Sequence, residues 1–433
     1  MVEVKAFKGI RYNKEKISKL DDVMSPPYDI ISEKMQQKLY DNNPYNFVRL
    51  ILGKQFSDDD ENNNRYTRAK DFYQKWLDEE ILSKSDKTSI YAYKIDYDFE
   101  GKNKTMSGFF VLLKLDPSYK LVKAHERTLS KPKADRLNLM SECYSNLEPI
   151  QLLYIDKEDK IRKSIDKSID EPLINVKGYD CFTHKIWEIS DKDIITKVQD
   201  ELNDEILFIA DGHHRYQTAI NFAEKMKEKT GDNDPNAPFN YRMVILANMF
   251  DEGLAILPTH RLIKKDFDSE KLITKLKEYF DVDIIEADEA DSKVLSQRVM
   301  NDIKTDNQHK FALFFKNKYY VLTLKDEKIM DDFASDRSKT WRTLDVSILH
   351  KIVLEHILNI NQDNLEDHVK YTREDVEAID FVKSGEFDFS VLMNATKIDE
   401  LKAIADGGEH MPQKSTYFLP KMLSGLVIYK MDC

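Results

Sequence analysis

The chain has 433 residues, of which 41% are hydrophobic and 33% charged, and it carries a formal net charge of −12. That length is too great for one simple core and implies two or three domains; 22 Phe and 21 Tyr exclude disorder over most of it. The acidic balance repels nucleic-acid backbones and anionic membranes, and no apolar run approaches the roughly 18 residues of a membrane span.

The first residues, Met1–Phe7, lack the basic-then-apolar pattern of a signal peptide, and Cys143, Cys181 and Cys433 form neither a metal spacing nor a disulfide framework. A cytoplasmic protein with no nucleic acid and no membrane among its partners is expected.

Taken in chain order, the first strong element is a helix over Tyr66–Glu80, with Tyr66, Ala69, Phe72, Tyr73, Trp76 and Leu77 on one face. Strands are expected at Ile90–Tyr97 and Met106–Leu115, a helix at Lys133–Ser145 and a strand at Ile150–Ile155. Glu205–Ala210 is a short apolar run suited to a buried strand. An amphipathic helix follows over Arg215–Lys229, then a strand over Tyr241–Phe250. Beyond about Lys264 the texture changes: a helix at Ser269–Tyr279, a strand at Asp281–Ile285, and a hairpin joining His309–Phe315 to Tyr319–Leu324. Leu344–Asn359 reads as an amphipathic α-helix, and from Phe387 the chain alternates strand, helix and strand.

The sharpest chemical signal is Ala210-Asp-Gly-His-His-Arg-Tyr216, where an apolar strand runs through Asp-Gly straight into a helix. A helix N-terminus offers unpaired N–H groups and partial positive charge. Gly212 permits close approach to the backbone, Arg215 can fork onto a phosphate, and Asp211 can bind Mg²⁺ or take a proton. The bland alternative is an N-cap aspartate followed by surface histidines. Zinc ligation by His213 and His214 is disfavoured, because adjacent helical side chains diverge by about 100°.

Four weaker constellations accompany it. Lys123-Ala-His-Glu-Arg-Thr, followed by Lys131, Lys133 and Arg136, sets one carboxylate, Glu126, among cations that would keep it ionised as a general base. Its alternative is a solvated basic loop. Thr259, His260 and Arg261 can all meet an anion. Lys414, Ser415 and Thr416 resemble the end of a phosphate loop, but the glycines of a P-loop are missing upstream. Ser25-Pro-Pro-Tyr-Asp and Asn43-Pro-Tyr-Asn frame either a pocket or only a fold, with Arg49 the residue there best placed to reach a ligand. No Gly-x-Gly-x-x-Gly, Gly-x-Ser-x-Gly, His-Glu-x-x-His or Cys-x-x-Cys occurs.

Pro26-Pro-Tyr-Asp, Asn43-Pro-Tyr-Asn, His125-Glu-Arg-Thr, Ala210-Asp-Gly-His-His-Arg-Tyr, Pro258-Thr-His-Arg and Met411-Pro-Gln-Lys-Ser-Thr-Tyr-Phe-Leu-Pro-Lys together resemble the family catalogued as domain of unknown function 1015. They occur in that family's order and span nearly the whole chain. The Asp-Gly-His-His-Arg core is also similar to that of the free serine kinases of the SerK type, whose fold is related to ParB and sulfiredoxin.

The resemblance implies an α+β chain with a ParB/sulfiredoxin-like mixed sheet core over 1–264. The change of texture beyond Lys264 adds a smaller α+β unit over 265–370, a block without a counterpart in the more compact serine kinases, and a C-terminal segment, 371–433, is expected to return to the core and site. It implies phosphorylation of free L-serine to O-phospho-L-serine, with ATP or ADP as donor and Mg²⁺. Asp211, with the metal, and Gly212, His213, His214 and Arg215 would bind the nucleotide phosphates, aided by Arg127, Lys131 and Arg136. Glu126 would take the serine proton, and His125, Thr259, His260, Arg261, Lys414, Ser415 and Thr416 would line the acceptor side. Two other readings stay open: a ParB-like nucleotide-binding regulatory module, and a metal-dependent phosphohydrolase or nuclease using Asp211 and the histidines.

Overall fold

A computed structural model of the chain describes residues 1–99, 101–125, 130–288, 290–305, 307–412 and 414–431, without the side chains of 130–132 and 405. The fold is mixed α+β and divides into two compact units. One comprises Met1–Ala124, Thr128–Ala255 and Pro420–Cys433; the other comprises His125–Arg127 and Ile256–Leu419. None of the described helices is long and apolar enough to cross a membrane.

The first unit is built on a nine-stranded sheet. Its order is Val122–Lys123, Leu207–Asp211, Ile150–Tyr154, Tyr241–Asn248, Lys102–Lys114, Ile90–Phe99, Thr183–Ile189 and Ile174–Lys177, with Val4–Lys5 also pairing with Lys102–Lys114. The Val122–Lys123/Leu207–Asp211 and Ile150–Tyr154/Tyr241–Asn248 neighbours run parallel and the others antiparallel.

Every residue of Tyr241–Asn248 is buried, as a strand covered on both faces requires. Val111, Leu152, Ile209, Val244 and Leu246 share one core with Tyr216 and Ile220 of the helix His213–Thr230. That helix also packs against Ser130–Cys143, whose Met140 joins Phe222 and Met226 in a second cluster.

The second unit carries a six-stranded antiparallel sheet ordered Phe280–Glu286, Lys318–Leu324, Lys310–Phe315, Phe389–Met393, His260–Ile263, Val369–Thr372. The expected hairpin is present: Lys316 and Asn317 both take positive φ, 50° and 55°, the geometry of a two-residue turn matched to strand twist. Helices Ser292–Ile303 and Asp375–Lys383 bury Leu295, Val299, Ala378 and Ile379 against this sheet.

The segment expected as one α-helix over Leu344–Asn359 differs in detail. A short α-helical turn, Asp345–Ile348, passes into a π-helix, Leu349–Ile357. Leu349, His350, Ile352, Val353 and Leu354 are all buried, an arc wider than one α-helical stripe provides. The wider register accommodates it, with Leu358 N donating to Val353 O at 3.0 Å.

Candidate functional site

The strand Leu207–Asp211 delivers Asp211 to the point where the helix His213–Thr230 begins. Gly212 makes the corner with φ 97°, and a Cβ there would stand 3.0 Å from Arg215 Nε. Backbone region and space therefore both demand glycine. Gly212→Ala should cost about 1–2 kcal/mol of stability, checked by the urea midpoint; an unchanged midpoint would show that the corner relaxes freely.

Asp211 is held between two cations. Arg215 Nη2 donates to its Oδ2, and Lys421 Nζ donates to its Oδ1 at 2.5 Å. Burial pushes the Asp211 carboxyl up, but the charges of Lys421 and Arg215, a bond from Lys421 and the charge of His213 outweigh it and hold the carboxyl below the usual range. Arg215 also donates through Nη1 to Pro149 O and is buried.

Beside this pair lies a second layer of buried charge. Arg136 bonds Asp135 Oδ2 through Nε at 2.7 Å and Ile51 O through Nη1 at 2.9 Å, with Nη1 3.4 Å from Glu148 Oε2. The Tyr28 ring stacks on its guanidinium at 3.9 Å. Glu148 in turn accepts from Tyr28 N at 3.2 Å and Ser424 Oγ at 3.0 Å.

Arg242, on the central strand, donates through Nη2 to Glu148 O at 2.7 Å, while its Nε and Nη1 are buried without a partner among the described residues. Burial and the neighbouring Arg215 charge pull the Arg242 guanidinium down to about 9, against the opposing charge of Glu148. Five cations (Arg65, Arg136, Arg215, Arg242, Lys421) gather about four carboxylates (Asp29, Asp135, Glu148, Asp211), Arg242 bonding only the Glu148 carbonyl, and the surplus is positive. A cavity of about 20 Å³ lined by Gln151, Asp211, Arg215 and Lys421 opens here, room for about one water.

Within the second unit, other expected residues come together. His125 Nε2 lies 3.0 Å from Thr416 Oγ1, and Met411 N donates to His125 O at 2.7 Å. Buried Arg261 donates to Thr259 O, and its Nη2 reaches Lys414 O at 3.3 Å, tying the 411–416 loop to the sheet. Burial lowers the Arg261 guanidinium to about 10. Ser415 Oγ donates to Pro412 O at 2.5 Å. His260 accepts from Met393 N on Nδ1 at 3.2 Å, and its Nε2 lies 2.7 Å from Asp375 Oδ1, so both ring nitrogens are engaged inside the fold.

Glu126 and Arg127 lie outside the described residues, as does the side chain of Lys131. His213 is buried in the first helical turn and His214 is half-buried beside it. Arg49 packs on the Tyr40 ring at 4.2 Å and donates to Tyr40 O. Glu148 and Arg242 are absent from the residues that the sequence singles out, and Lys421 appears there only as the last residue of the Met411–Lys421 motif, with no role of its own. A lone Arg in the apolar run Tyr241–Asn248 is an expensive residue to bury, and that was the available signal.

Among the described residues no group of three or more His, Cys, Asp or Glu is placed to hold a metal ion. Mg²⁺ needs oxygen ligands in a near-octahedral set. Both Asp211 oxygens already accept from cations, so this turn as built fits an anion and not a protein-held Mg²⁺.

A family profile described as "Protein of unknown function (DUF1015)" matches residues 4–347. No curated protein matches the sequence. Among solved structures, a conserved hypothetical protein from Pyrococcus furiosus aligns with TM-score 0.35 at 15% identity, covering 73% of this chain and 95% of that one. A free serine kinase in complex with AMP aligns with TM-score 0.35 at 14% identity, covering 73% and 92%. A variant of a free serine kinase in complex with ADP gives TM-score 0.36 at 13% identity over the same shares.

Proposed function

Starting from a chain that belongs to the DUF1015 family of proteins of unknown function, we propose that it is a phosphotransferase that moves a phosphoryl group from ATP or ADP to free L-serine. The observation that carries this reading is the surplus of buried cations at the strand-to-helix turn of Asp211, with Arg242 left two donors short of partners. Buried unpaired donors are costly and find their use in a ligand that accepts. The resemblance of Ala210–Tyr216 to the serine-kinase core supplies the choice of reaction and acceptor, and with it the ParB/sulfiredoxin-like reading of the first unit's sheet.

In the proposed reaction the serine Oγ–H gives its proton to Glu126, a role inferred from its place as the one carboxylate among the cations of the 123–136 segment. The Oγ–P bond forms as the bond from phosphorus to the donor's bridging oxygen breaks, and the nucleotide departs with that electron pair. The protein's share is placement and charge neutralisation. The N–H groups of the first helical turn and the Arg215, Arg242 and Lys421 side chains meet the phosphate oxygens. Since the cavity has room for about one water, nucleotide entry requires the side chains that line it to move apart.

Incubation with L-serine, Mg²⁺ and ATP or ADP, followed by ³¹P NMR, should show O-phosphoserine with one donor. No phosphoserine with either donor would remove the serine assignment. Release of inorganic phosphate in the absence of serine would favour a phosphohydrolase instead.

A further inference from the structure

The second unit contains a cavity of about 170 Å³ that the reading above does not use, lined among others by Arg337, Trp341, His350, Lys351, Glu355 and Met411. Its most telling wall is His350, in the π-helix Leu349–Ile357. The residue is only 8% exposed, and its Nε2 is buried with no hydrogen-bond partner among the described residues. Burial, with the charges of Arg261 and Lys351, keeps the imidazole well below its ordinary value, so it stays neutral and able to accept. An unsatisfied buried imidazole is costly, and a π-helix is a rare geometry frequently found at functional positions. Neither is needed merely to fill space, since a leucine would do that.

The rim already carries paired charge of both signs: Lys351 Nζ lies 2.6 Å from Glu355, and Arg337 Nε lies 3.5 Å from Asp336. A simple anion would leave the rim carboxylates unpaired, and a simple cation would strand Arg337 and Lys351. A ligand bearing both charges satisfies both. Trp341, anchored by its Nε1 donating to His410 O at 2.9 Å, joins Ile360, Leu365 and Met411 in an apolar wall. The volume is slightly above that of an engineered cavity of about 150 Å³ that takes benzene, which sets the ligand at about five to nine non-hydrogen atoms.

We propose that this cavity is a second small-molecule site, taking a free α-amino acid with a small apolar side chain. The ammonium group donates to the His350 imidazole on the Glu355 side. The carboxylate lies toward Lys351 and Arg337, and the side chain lies against Trp341. The site does not depend on the phosphotransfer reading, and its test uses binding alone, without nucleotide.

The full-length protein is titrated with glycine, L-alanine, L-valine and L-leucine, with isobutyrate and isobutylamine as single-charge controls. Binding is followed by ligand-observed NMR and by the His imidazole ¹⁵N resonances. At least one amino acid should bind saturably and shift one imidazole resonance, with both controls at least about tenfold weaker. His350→Leu should weaken binding by about tenfold or more while leaving the ligand-free Tm unchanged or raised. Should that variant fail to fold, the imidazole shift in the native protein decides. The proposal is overturned if none of the four amino acids binds up to about 10 mM, if the controls bind equally well, or if a folded His350→Leu variant binds as tightly as the native chain.

Discussion

Asp211→Asn is expected to lower the free energy of unfolding by roughly 3 kcal/mol or more, because deleting one member of a buried ion cluster leaves the others charged and unpaired. Arg215 and Lys421 both spend their charge on this carboxylate, and Arg242 already adds an uncompensated guanidinium nearby. Urea unfolding followed by circular dichroism should show the midpoint fall with little change of slope. In the double variant with Lys421→Met much of the loss should return, since one stranded cation is gone and the cluster regains its native net charge, although Arg215 still lacks its carboxylate partner. A loss below about 1 kcal/mol would mean that water reaches the cluster and screens it.

The same carboxylate sets a pH dependence. Its folded-state pKa lies below the unfolded value. Its contribution is therefore complete above the unfolded pKa of about 4 and is lost as the pH falls from there through the folded pKa. Asp211→Asn should remove that acid-side loss and leave the neutral-to-alkaline side unaltered.

Arg242→Met should act in the opposite sense on stability. Exchanging a buried guanidinium with two unpartnered nitrogens for an apolar side chain of similar volume is expected to leave the protein as stable or more stable, by on the order of 1–4 kcal/mol. The lost bond to Glu148 O returns about 1 kcal/mol of that. Affinity for ADP should meanwhile drop by about 10–100-fold, the worth of one charge-assisted contact. Calorimetry for stability and isothermal titration for ADP read the two effects separately. A variant that is strongly destabilised would show Arg242 to be a structural pair member, and a stable variant with native ADP affinity would remove it from the anion site.

What could be read from the sequence follows from where the determining interactions lie. Ile150–Tyr154, Leu207–Asp211 and Tyr241–Asn248 are apolar runs whose burial is written in their own residues. The helix Ser269–Tyr279 has its face and its Asp268 cap in twelve consecutive positions. Ile174–Lys177 and Thr183–Ile189 were missed, being an edge strand and its neighbour with charged residues on the open face. Ser292–Ile303 was missed as well, with a modest apolar stripe that only its sheet makes decisive.

At the site, the Asp-Gly-His-His-Arg turn was legible because strand, corner and helix are contiguous. Glu148 and Lys421 were not, because each matters only through partners far along the chain, and the π-register around His350 is a tertiary choice that a helical period does not announce.

The path of the chain has a consequence for the order in which the molecule takes shape. The first unit closes only when residues 420–433 return to it. Ile428 exchanges both backbone bonds with Ile10, Ser424 pairs with Ser25, and Met431 N reaches Tyr144 O. Lys421 finds Asp211 across 210 positions of sequence. Loops of that span close slowly. During synthesis the second unit's residues therefore leave the ribosome before the last piece of the first exists, and until then Asp211 and Arg215 stand without Lys421. A nascent or truncated chain ending before residue 420 would hold the Asp211 turn in an unfinished form, and the return of residues 420–431 is the step that completes it.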